Sequence, residues 1–321
     1  MKIKKIGILT SGGDAPGMNS ALLGVYSACR DNNIKLIGFI GGYDGLIDNN
    51  FKEITFDVLD GRQNRGGSII KSSRSKRFVN KTYFNKAVNN LKLNKVDALI
   101  IIGGDGTIRG AIELIEAGIK VVVIPCTIDN DLNYTRTLGF DSAANNIVKA
   151  VDNITDSIGS FGYGTVIKIM GRESANLIDY VAESIHTELV IKSEKFSEKA
   201  LLQKIKETHN NNHLPSIVLV LEDVVDTVDY AKHLEEKCKF PWRAHILGYI
   251  QRGGTPSAYD RRYGYSAGLK VVDYIIKNET GFAVGMQNDV LTKKSLDEVI
   301  KKNEKNSWHN FIENDIIPTL R

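Results

Sequence analysis

Three short, largely apolar segments of this chain run directly into glycines and acidic residues. Residues 6–10 precede the sequence SGGDAPG, residues 99–102 precede GGDG, and residues 121–124 precede PCTIDND. Strands without polar alternation are typical of parallel sheets that helices cover on both faces. Because the carboxyl ends of such strands meet at one edge of a sheet, the glycines and acids are expected at a ligand-binding edge.

The residues that follow these segments have the chemistry of a phosphate site. Glycines let backbone N–H groups approach a phosphate closely, and carboxylates bind Mg²⁺ or accept a proton. Asp105 follows the second segment, and Asp129 and Asp131 follow the third. Together these features predict phosphoryl transfer from a nucleotide. Singly they have simpler interpretations, namely acids in a turn, glycines in a tight βα turn, or Asp105 as a helix N-cap.

Strand-like and helix-like segments alternate along the rest of the chain. Helices are expected at residues 18–32, 79–91, 107–117, 141–158, 174–185, 197–210 and 260–276 and from Asp226, with Asp141 as the cap of the fourth. Further strands are expected at residues 36–40, 165–170, 189–191, 217–221 and 245–247. This order predicts an α/β fold of two doubly wound, Rossmann-like lobes with mainly parallel sheets and an active site in the cleft between them.

Composition narrows the class of protein. The chain has 321 residues, 42% hydrophobic residues and a net charge of +4, without the arginine-rich tail or basic stripe of a nucleic-acid-binding protein. No run approaches 18 apolar residues, so no membrane span is expected, and the first residues do not predict a targeting segment. Three cysteines without metal-like spacing favour reduced thiols and a cytoplasmic location.

Six motifs occur in a fixed order along the chain. They are TSGGDAPGMN (residues 10–19), NRGG (64–67), GGDG (103–106), TIDND (127–131), MGR (170–172) and IQRGG (250–254). In this combination the chain resembles bacterial ATP-dependent 6-phosphofructokinases over residues 6–288. The resemblance implies ATP-dependent phosphorylation of fructose 6-phosphate at its 1-hydroxyl, a step of glycolysis, with Mg²⁺ and a homotetramer whose active sites are completed by neighbouring subunits.

The resemblance also implies that each lobe binds a different substrate. Residues 1–139 and 252–303 would form the ATP-binding lobe, and residues 140–251 and 304–321 the sugar-phosphate-binding lobe. The implied nucleotide-binding positions are Gly13, Tyr43, Arg74, Gly104, Asp105, Gly106 and Thr107. Asp105 would hold the Mg²⁺ ion.

The remaining implied positions bind the sugar phosphate or take part in the reaction. Asp129 would be the general base, assisted by Thr127 and Arg172. The implied substrate-binding residues are Thr127, Asp129, Asp131, Tyr163, Met170, Gly171, Arg172, Glu222, Arg243, Tyr249 and Arg252. Arg243 and Arg252 match the clamp for the 6-phosphate, and the Arg243 position would serve the neighbouring subunit's site.

Two acceptor positions depart from the pattern of the resembled family. That family usually has an arginine at the position of Tyr163 and a histidine at that of Tyr249. Losing a charge-assisted contact costs about 1.5–3 kcal/mol, so a high KM for fructose 6-phosphate is expected. The departures leave open a weakly active or non-catalytic nucleotide-binding homologue, or a kinase for another phosphosugar such as tagatose 6-phosphate.

Effector and donor positions also differ. The resembled family has arginines that grip an anionic effector at four positions, here Leu23, Ser27, Phe56 and Thr155. Lysines usual near Asn211 and His213 are missing as well, whereas Glu188 remains, so loss of the ADP and phosphoenolpyruvate site is expected. Gly106 matches ATP users, since pyrophosphate users usually carry aspartate there. Cys126 stands where ATP users have glycine and pyrophosphate users lysine, which leaves pyrophosphate as a less favoured donor.

Overall fold

A computed structural model describes residues 2–212 and 215–301. Its strands are β1 (Lys5–Thr10), β2 (Lys35–Phe39), β3 (Phe51–Glu53), β4 (Ala98–Gly103), β5 (Val121–Pro125), β6 (Gly164–Ile169), β7 (Val190–Ile191), β8 (Ile217–Leu221), β9 (Trp242–Ile246), β10 (Phe282–Gln287) and β11 (Val290–Ser295). Its helices are α1 (Met18–Asp31), α2 (Gly42–Ile47), α3 (Phe56–Leu59), α4 (Lys81–Leu93), α5 (Asp105–Glu116), α6 (Phe140–Gly159), α7 (Asn176–Ser184), α8 (Glu198–Asn212), α9 (Thr227–Cys238), α10 (Ala258–Ile276) and α11 (Leu296–Ile300), with a 3₁₀ helix at Gly248–Arg252. His213, the side chain of Asn211 and residues 302–321 lie outside the described residues.

The described strands form two sheets. The first has seven strands in the order β11-β10-β5-β4-β1-β2-β3, and the second has four in the order β7-β8-β6-β9 within the described part of the chain. All pairings in the second sheet are parallel, and in the first only β2–β3 and β10–β11 are antiparallel. The predicted α/β fold with mainly parallel sheets is therefore confirmed. The division into lobes at Gly139 and residues 251–254 stays a prediction.

Several element bounds differ from those that the sequence predicts. Helix α6 begins at Phe140, and its N-cap is Gly139 in the left-handed conformation (φ 101°). The prediction that Asp141 caps this helix is wrong. Asp141 lies in the first turn, and its Oδ1 accepts a hydrogen bond from Arg136 Nη2 at 2.6 Å. A glycine suits this cap because positive φ costs it little.

The hairpin of β10 and β11 was not expected from the sequence. Gln287 pairs with Val290, and the two residues between them, Asn288 and Asp289, have φ angles of 49° and 60°. A two-residue loop with positive φ at both positions is typical of a type I′ turn, for which Asn and Asp are favoured. The Asn-Asp pair between two apolar runs was a usable signal for this edge of the sheet.

Helices α1 and α10 pack backbone against backbone. A Cβ on Gly24 would lie 2.2 Å from the carbonyl oxygen of Tyr265, and a Cβ on Gly268 would lie 2.3 Å from that of Ala21. Only glycines permit so close an approach. Since α1 follows the SGGDAPG loop and α10 follows the loop at residues 251–254, this packing fixes two loops of the cleft relative to each other.

Asp260 joins α10 to the N-terminus of α6. Its fully buried carboxylate accepts hydrogen bonds from the backbone N–H of Gly139 at 2.9 Å, the backbone N–H of Ser142 at 2.8 Å and the Ser142 hydroxyl. Burial raises the pKa of Asp260, and these hydrogen bonds oppose that shift. The carboxylate thus supplies the helix cap that Asp141 was expected to provide.

The apolar core continues from the first sheet to the second. One cluster of buried side chains includes Ile8 of β1, Ile147 of α6 and Ile169 of β6. Among residues 2–212 and 215–301, none of the helices has the length and apolar character needed to cross a bilayer.

Candidate active site

A cavity of about 810 Å³ lies where the two sheets face each other. Most of the residues singled out in the sequence line it, namely Gly13, Tyr43, Arg74, Gly104, Asp105, Gly106, Thr107, Thr127, Asp129, Asp131, Met170, Arg172, Glu222, Tyr249 and Arg252. Gly171, Tyr163 and Arg243 are not part of its lining. The loops that follow β1, β4 and β5 form one wall, and those that follow β6 and β8 form the other.

The glycine loop after β1 leaves a gap between two arginines. The Gly12 N–H donates to the Ser73 carbonyl at 3.0 Å, and the Ser72 hydroxyl donates to the Gly12 carbonyl at 2.9 Å. A Cβ on Gly13 would lie 3.2 Å from Arg252 Nη1 and 3.8 Å from Arg74 Nη2. Without a side chain there, an anion has access to both guanidinium groups and to the loop backbone.

Next to this gap is a flat aromatic wall. The Tyr43 ring stacks on Phe78 with centroids 3.9 Å apart, and its hydroxyl donates to the Thr107 carbonyl at 2.7 Å. A Cβ on Gly106 would meet nothing within 4 Å, so this position opens into the cavity. Phe78 was missed in the sequence because it lies in the irregular segment before α4. Such a wall suits a planar base, with phosphates directed to the N-terminus of α5.

Asp105 is the first residue of α5, and its N-cap is Gly104. The interpretation of Asp105 as an N-cap is therefore wrong. Its side chain is 52% exposed and lies 4.0 Å from Arg109 Nε. No group of three or more His, Cys, Asp or Glu side chains suited to a metal occurs among residues 2–212 and 215–301. A few carboxylates facing an open cavity fit Mg²⁺, which commonly takes one or two carboxylates together with substrate phosphates and water.

We refer to residues 129–131 as the acidic turn. Asn130 adopts a left-handed conformation (φ 49°), and its Oδ1 accepts a hydrogen bond from the Thr137 N–H at 2.9 Å. The second half of the chain also holds this turn. The Ser174 hydroxyl donates to the Asp129 carbonyl at 2.9 Å, and Asn176 Nδ2 donates to the Asn130 carbonyl at 2.7 Å. Sequence reasoning missed Ser174 and Asn176, although they follow the MGR motif directly.

Asp129 and Asn130 of the acidic turn are buried, whereas Asp131 is exposed to the cavity. Burial raises the pKa of Asp129, while the nearby Arg172 guanidinium and the Thr127 hydroxyl act in the opposite direction. Asp131 faces the cavity, yet the walls withdraw its carboxyl from bulk water. This desolvation, with a smaller contribution from the Asp129 charge, raises the pKa of Asp131 to about 6. A carboxylate with a raised pKa is a better proton acceptor near neutral pH.

The loop after β6 is fixed by polar side chains. Glu222 Oε1 accepts hydrogen bonds from the N–H of Gly171 at 2.9 Å and from that of Arg172 at 2.7 Å. Gln251 Oε1 accepts one from the Met170 N–H at 2.9 Å. Gly171 therefore contributes to the site through its backbone although it does not line the cavity. Gln251, which lies inside a recognised motif but was given no role, anchors this loop.

The four clamp positions divide into two pairs. Arg252 and Tyr249 line the cavity, with the Arg252 guanidinium carbon 4.6 Å from the centre of the Tyr249 ring. Arg243 and Tyr163 lie away from this cavity and form a second stack, also at 4.6 Å. Arg243 is about half exposed. Its distance from the cavity agrees with the expectation that it serves another subunit, which stays a prediction.

The four neutral effector positions differ in burial. Ser27 is buried, Leu23 packs partly against the core, and Phe56 is 50% exposed. The Thr155 hydroxyl oxygen is buried. Glu188 forms an ion pair with Lys204, so the acid retained from the resembled family has a partner within its own chain.

Comparison with known proteins agrees with these motifs. A family model described as phosphofructokinase matches residues 5–275. A protein named ATP-dependent 6-phosphofructokinase from Oceanobacillus iheyensis is 36% identical over 299 residues, which cover 92% of this chain and 94% of the relative. A protein of the same name from Clostridium botulinum is 37% identical over 306 residues, covering 94% and 96%.

Solved structures show the same fold. Pichia pastoris phosphofructokinase in the T-state superposes with a TM-score of 0.85 and 26% identity, over 94% of this chain and 36% of the Pichia chain. A pyrophosphate-dependent phosphofructokinase from Marinobacter aquaeolei has a TM-score of 0.83 over 96% of this chain and 86% of its own. With 17% identity, that second likeness concerns the fold alone.

The pKa values of the acidic turn provide a direct test of this geometry. In a ¹³C NMR titration of the aspartate carboxyl carbons, Asp131 should titrate with a midpoint of about 6. Replacing Arg172 by Met should raise the midpoint of Asp129, because the cation that stabilises its charged form is lost. Arg30→Met, which removes an exposed guanidinium paired with Asp31, is the control and should leave both midpoints in place.

A midpoint for Asp131 near that of an exposed aspartate, about 4, would mean that the cavity is open to bulk water. An unchanged Asp129 midpoint in Arg172→Met would mean that Arg172 does not face the acidic turn.

Proposed function

This chain belongs to the phosphofructokinase family, and we propose that it transfers the γ-phosphoryl group of ATP to the 1-hydroxyl of fructose 6-phosphate. The products are ADP and fructose 1,6-bisphosphate, and the reaction is a step of glycolysis. The observation that carries the proposal is the composition of one cavity. The glycine loop, Asp105, the aromatic wall and the acidic turn line one cavity together with Arg172 and Arg252. The names of the relatives support the same donor and acceptor.

The reaction follows from the positions of these groups. The 1-hydroxyl of the sugar attacks the γ-phosphorus, its proton passes to the Asp129 carboxylate, and the bond to the β-phosphate oxygen breaks so that ADP leaves. The raised pKa of Asp129 suits it to receive that proton. Arg172 and Arg74 supply fixed positive charge for the transferring group, which is the main contribution a protein makes to phosphoryl transfer. Thr127 and Asp131 orient the base and the acceptor.

Mg²⁺ fits the donor side of the cavity. Asp105 would hold it together with the nucleotide phosphates, since its carboxylate lies at the N-terminus of α5 and its ionic partner among the described residues is Arg109, 4.0 Å away. The ion neutralises charge on the phosphates when it is bound. Asp131 is the second carboxylate within reach of the same region, because Asp105 also raises its pKa.

ATP is the donor that the cavity favours. Gly106 opens into free space, where a side chain would intrude on the nucleotide. Cys126 is buried, and burial raises its thiol pKa well above the ordinary value, so the position carries no charge. A lysine there would suit pyrophosphate better. The aromatic wall of Tyr43 and Phe78 would have no partner in pyrophosphate.

Fewer residues of the cavity support the choice of acceptor than support the choice of donor. Arg252 is the one clamp arginine in the cavity lining of the described residues. Fructose 6-phosphate is favoured over tagatose 6-phosphate, because the relatives are named 6-phosphofructokinases. A non-catalytic homologue would be expected to lose Asp129 before a phosphate contact.

We also propose that the chain assembles as a homotetramer that completes each active site with a neighbour. Arg243 and Tyr163 stack on each other and do not line the cavity of their own chain. The Arg243 side chain is about half exposed. A clamp with Arg252 alone would hold a phosphate weakly. The unpaired thiols Cys29, Cys126 and Cys238 agree with a cytoplasmic location, which cell fractionation would test.

Regulation by anions is proposed to be lost. The four positions where relatives place effector-binding arginines are neutral, and Lys204 neutralises Glu188. An effector shifts an equilibrium only through contacts that differ between two states. Without charged contacts, ADP and phosphoenolpyruvate have little means of doing so here.

A coupled assay with a panel of sugar phosphates, run with ATP and with pyrophosphate, tests the reaction. Turnover should require ATP and should be most efficient with fructose 6-phosphate. Asp129→Asn should lower kcat by roughly 10²–10⁴-fold, with the KM for ATP little changed. Asp105→Asn should instead raise the Mg²⁺ concentration needed for half-maximal rate. Asp152→Asn, at an exposed position on α6, is the control.

Normal kcat in Asp129→Asn would remove this residue from the reaction, and an unaltered Mg²⁺ response in Asp105→Asn would do the same for the metal assignment. Efficient turnover with pyrophosphate would reverse the choice of donor.

The loss of regulation predicts a flat response to effectors. At saturating ATP, adding ADP or phosphoenolpyruvate should leave the half-saturating concentration of fructose 6-phosphate unchanged, because the charged contacts are missing. Steady-state kinetics over a range of effector concentrations measures this. A severalfold shift with either compound would show that an anion still binds.

Shared active sites predict rescue between two defective variants. Arg243→Ala should raise the KM for fructose 6-phosphate, and Asp129→Asn should abolish most turnover. After subunit exchange, some mixed sites combine an intact Asp129 with an intact Arg243 and should regain the wild-type KM. Native mass spectrometry would establish that mixed oligomers form. Mixed oligomers without any recovery would mean that Arg243 does not act across an interface.

A further inference from the structure

The two tyrosines that replace usual phosphate ligands each stack on a clamp arginine. The ring of Tyr249 lies 4.6 Å from the guanidinium carbon of Arg252, and the ring of Tyr163 lies 4.6 Å from that of Arg243. Both are within the distance at which a cation over an aromatic face is attracted to it. The same pairing at both altered positions indicates that the rings serve the arginines.

The surroundings of Arg252 show what the ring contributes. Its side chain is only 18% exposed, and Nη2 lies 3.5 Å from the Asp14 carboxylate. Its Nε is buried and has no hydrogen-bond partner among the described residues. Asp14 is therefore a loose ionic partner that leaves much of the guanidinium donor capacity unused. A phosphate oxygen would satisfy this capacity.

Stacking and phosphate binding do not compete. All five donors of a guanidinium lie in its plane, whereas an aromatic ring contacts its face. An aromatic ring can therefore hold a guanidinium group in one orientation and leave the donors at the edge of that group free for a bidentate contact with a phosphate. The Tyr249 side chain is 74% exposed, and its hydroxyl makes no hydrogen bond with the described residues, so the ring is its contribution to this arrangement.

We infer that Tyr249 is a positioning residue, whose ring orients Arg252 for the acceptor's phosphate. Tyr163 stacks on Arg243 in the same way, but the Arg243 guanidinium also donates to the Trp242 carbonyl at 2.9 Å and lies 3.8 Å from Glu235, so the ring is one of three contacts that orient it. This inference rests on the proposed function and specifies how its acceptor is recognised. The chain compensates for two lost cationic contacts by fixing the two arginines that remain. An oriented guanidinium loses less conformational freedom when it binds than a mobile one.

Kinetics of Tyr249 variants separate the ring from the hydroxyl. Tyr249→Leu should raise the KM for fructose 6-phosphate by roughly 2- to 5-fold, the range of a cation–π contact at an exposed site, with a much smaller change in kcat and in the KM for ATP. Tyr249→Phe keeps the ring and should recover most of the affinity that leucine loses. In an Arg252→Ala background, Tyr249→Leu should cause no further loss. Tyr265→Leu removes an exposed tyrosine outside the cavity and is the control.

Two results would overturn the inference. An equal rise in KM for the Phe and Leu variants would make the hydroxyl a direct phosphate ligand. The same Leu effect with and without Arg252 would make the ring act independently of it. A wild-type protein that phosphorylates no sugar phosphate would instead overturn the proposed function. In that case, calorimetric titration of the same variants with fructose 6-phosphate, without ATP, tests the role of Tyr249 through binding alone. Equal affinities of the wild type and Tyr249→Leu would overturn the inference.

Discussion

The hydrogen bonds that hold the acidic turn from the opposite wall are the constraint on which the site depends. Asp129 follows the first sheet, but its carbonyl accepts from Ser174, and the carbonyl of Asn130 accepts from Asn176, beside the second sheet. The proposed general base is therefore fixed relative to the loop that carries Arg172. Phosphoryl transfer depends mainly on positioning and electrostatics, and small displacements of the reacting groups are costly.

A second connection aligns the donor loop with the phosphate clamp. Glycines bring the backbones of α1 and α10 into contact, and Asp260 ties α10 to the start of α6. The SGGDAPG loop precedes α1, and Arg252 precedes α10. As a result, Gly13 faces the Arg252 guanidinium directly, and one arginine lies within reach of both the nucleotide loop and the acceptor's phosphate.

The sequence predicted the parts of the site that are set locally and missed those set by distant contacts. Strand ends, glycine turns and acids form patterns within a few residues, so Gly13, Asp105 and the acidic turn were found. Gln251 and Ser174 act through hydrogen bonds that span 81 and 45 residues, which no local pattern reports. The prediction that Asp141 caps α6 was wrong for the same reason. The carboxylate that caps this helix belongs to Asp260, which accepts from the Ser142 N–H and lies 118 residues from Ser142 in the sequence.

On the proposed function, the two tyrosines at the clamp positions act mainly on binding of the acceptor. Asp129, Arg172 and Arg74, which are proposed to act on the transferring phosphoryl group, are present in the cavity, and the clamp positions are proposed to bind a phosphate that does not react. A contact made equally in the ground and transition states changes KM more than kcat. Replacing such contacts by tyrosines is therefore expected to weaken acceptor affinity and to preserve the chemical step. The inferred stacking of Tyr249 on Arg252 would limit that loss, because an aromatic face can hold a guanidinium group without using its in-plane donors.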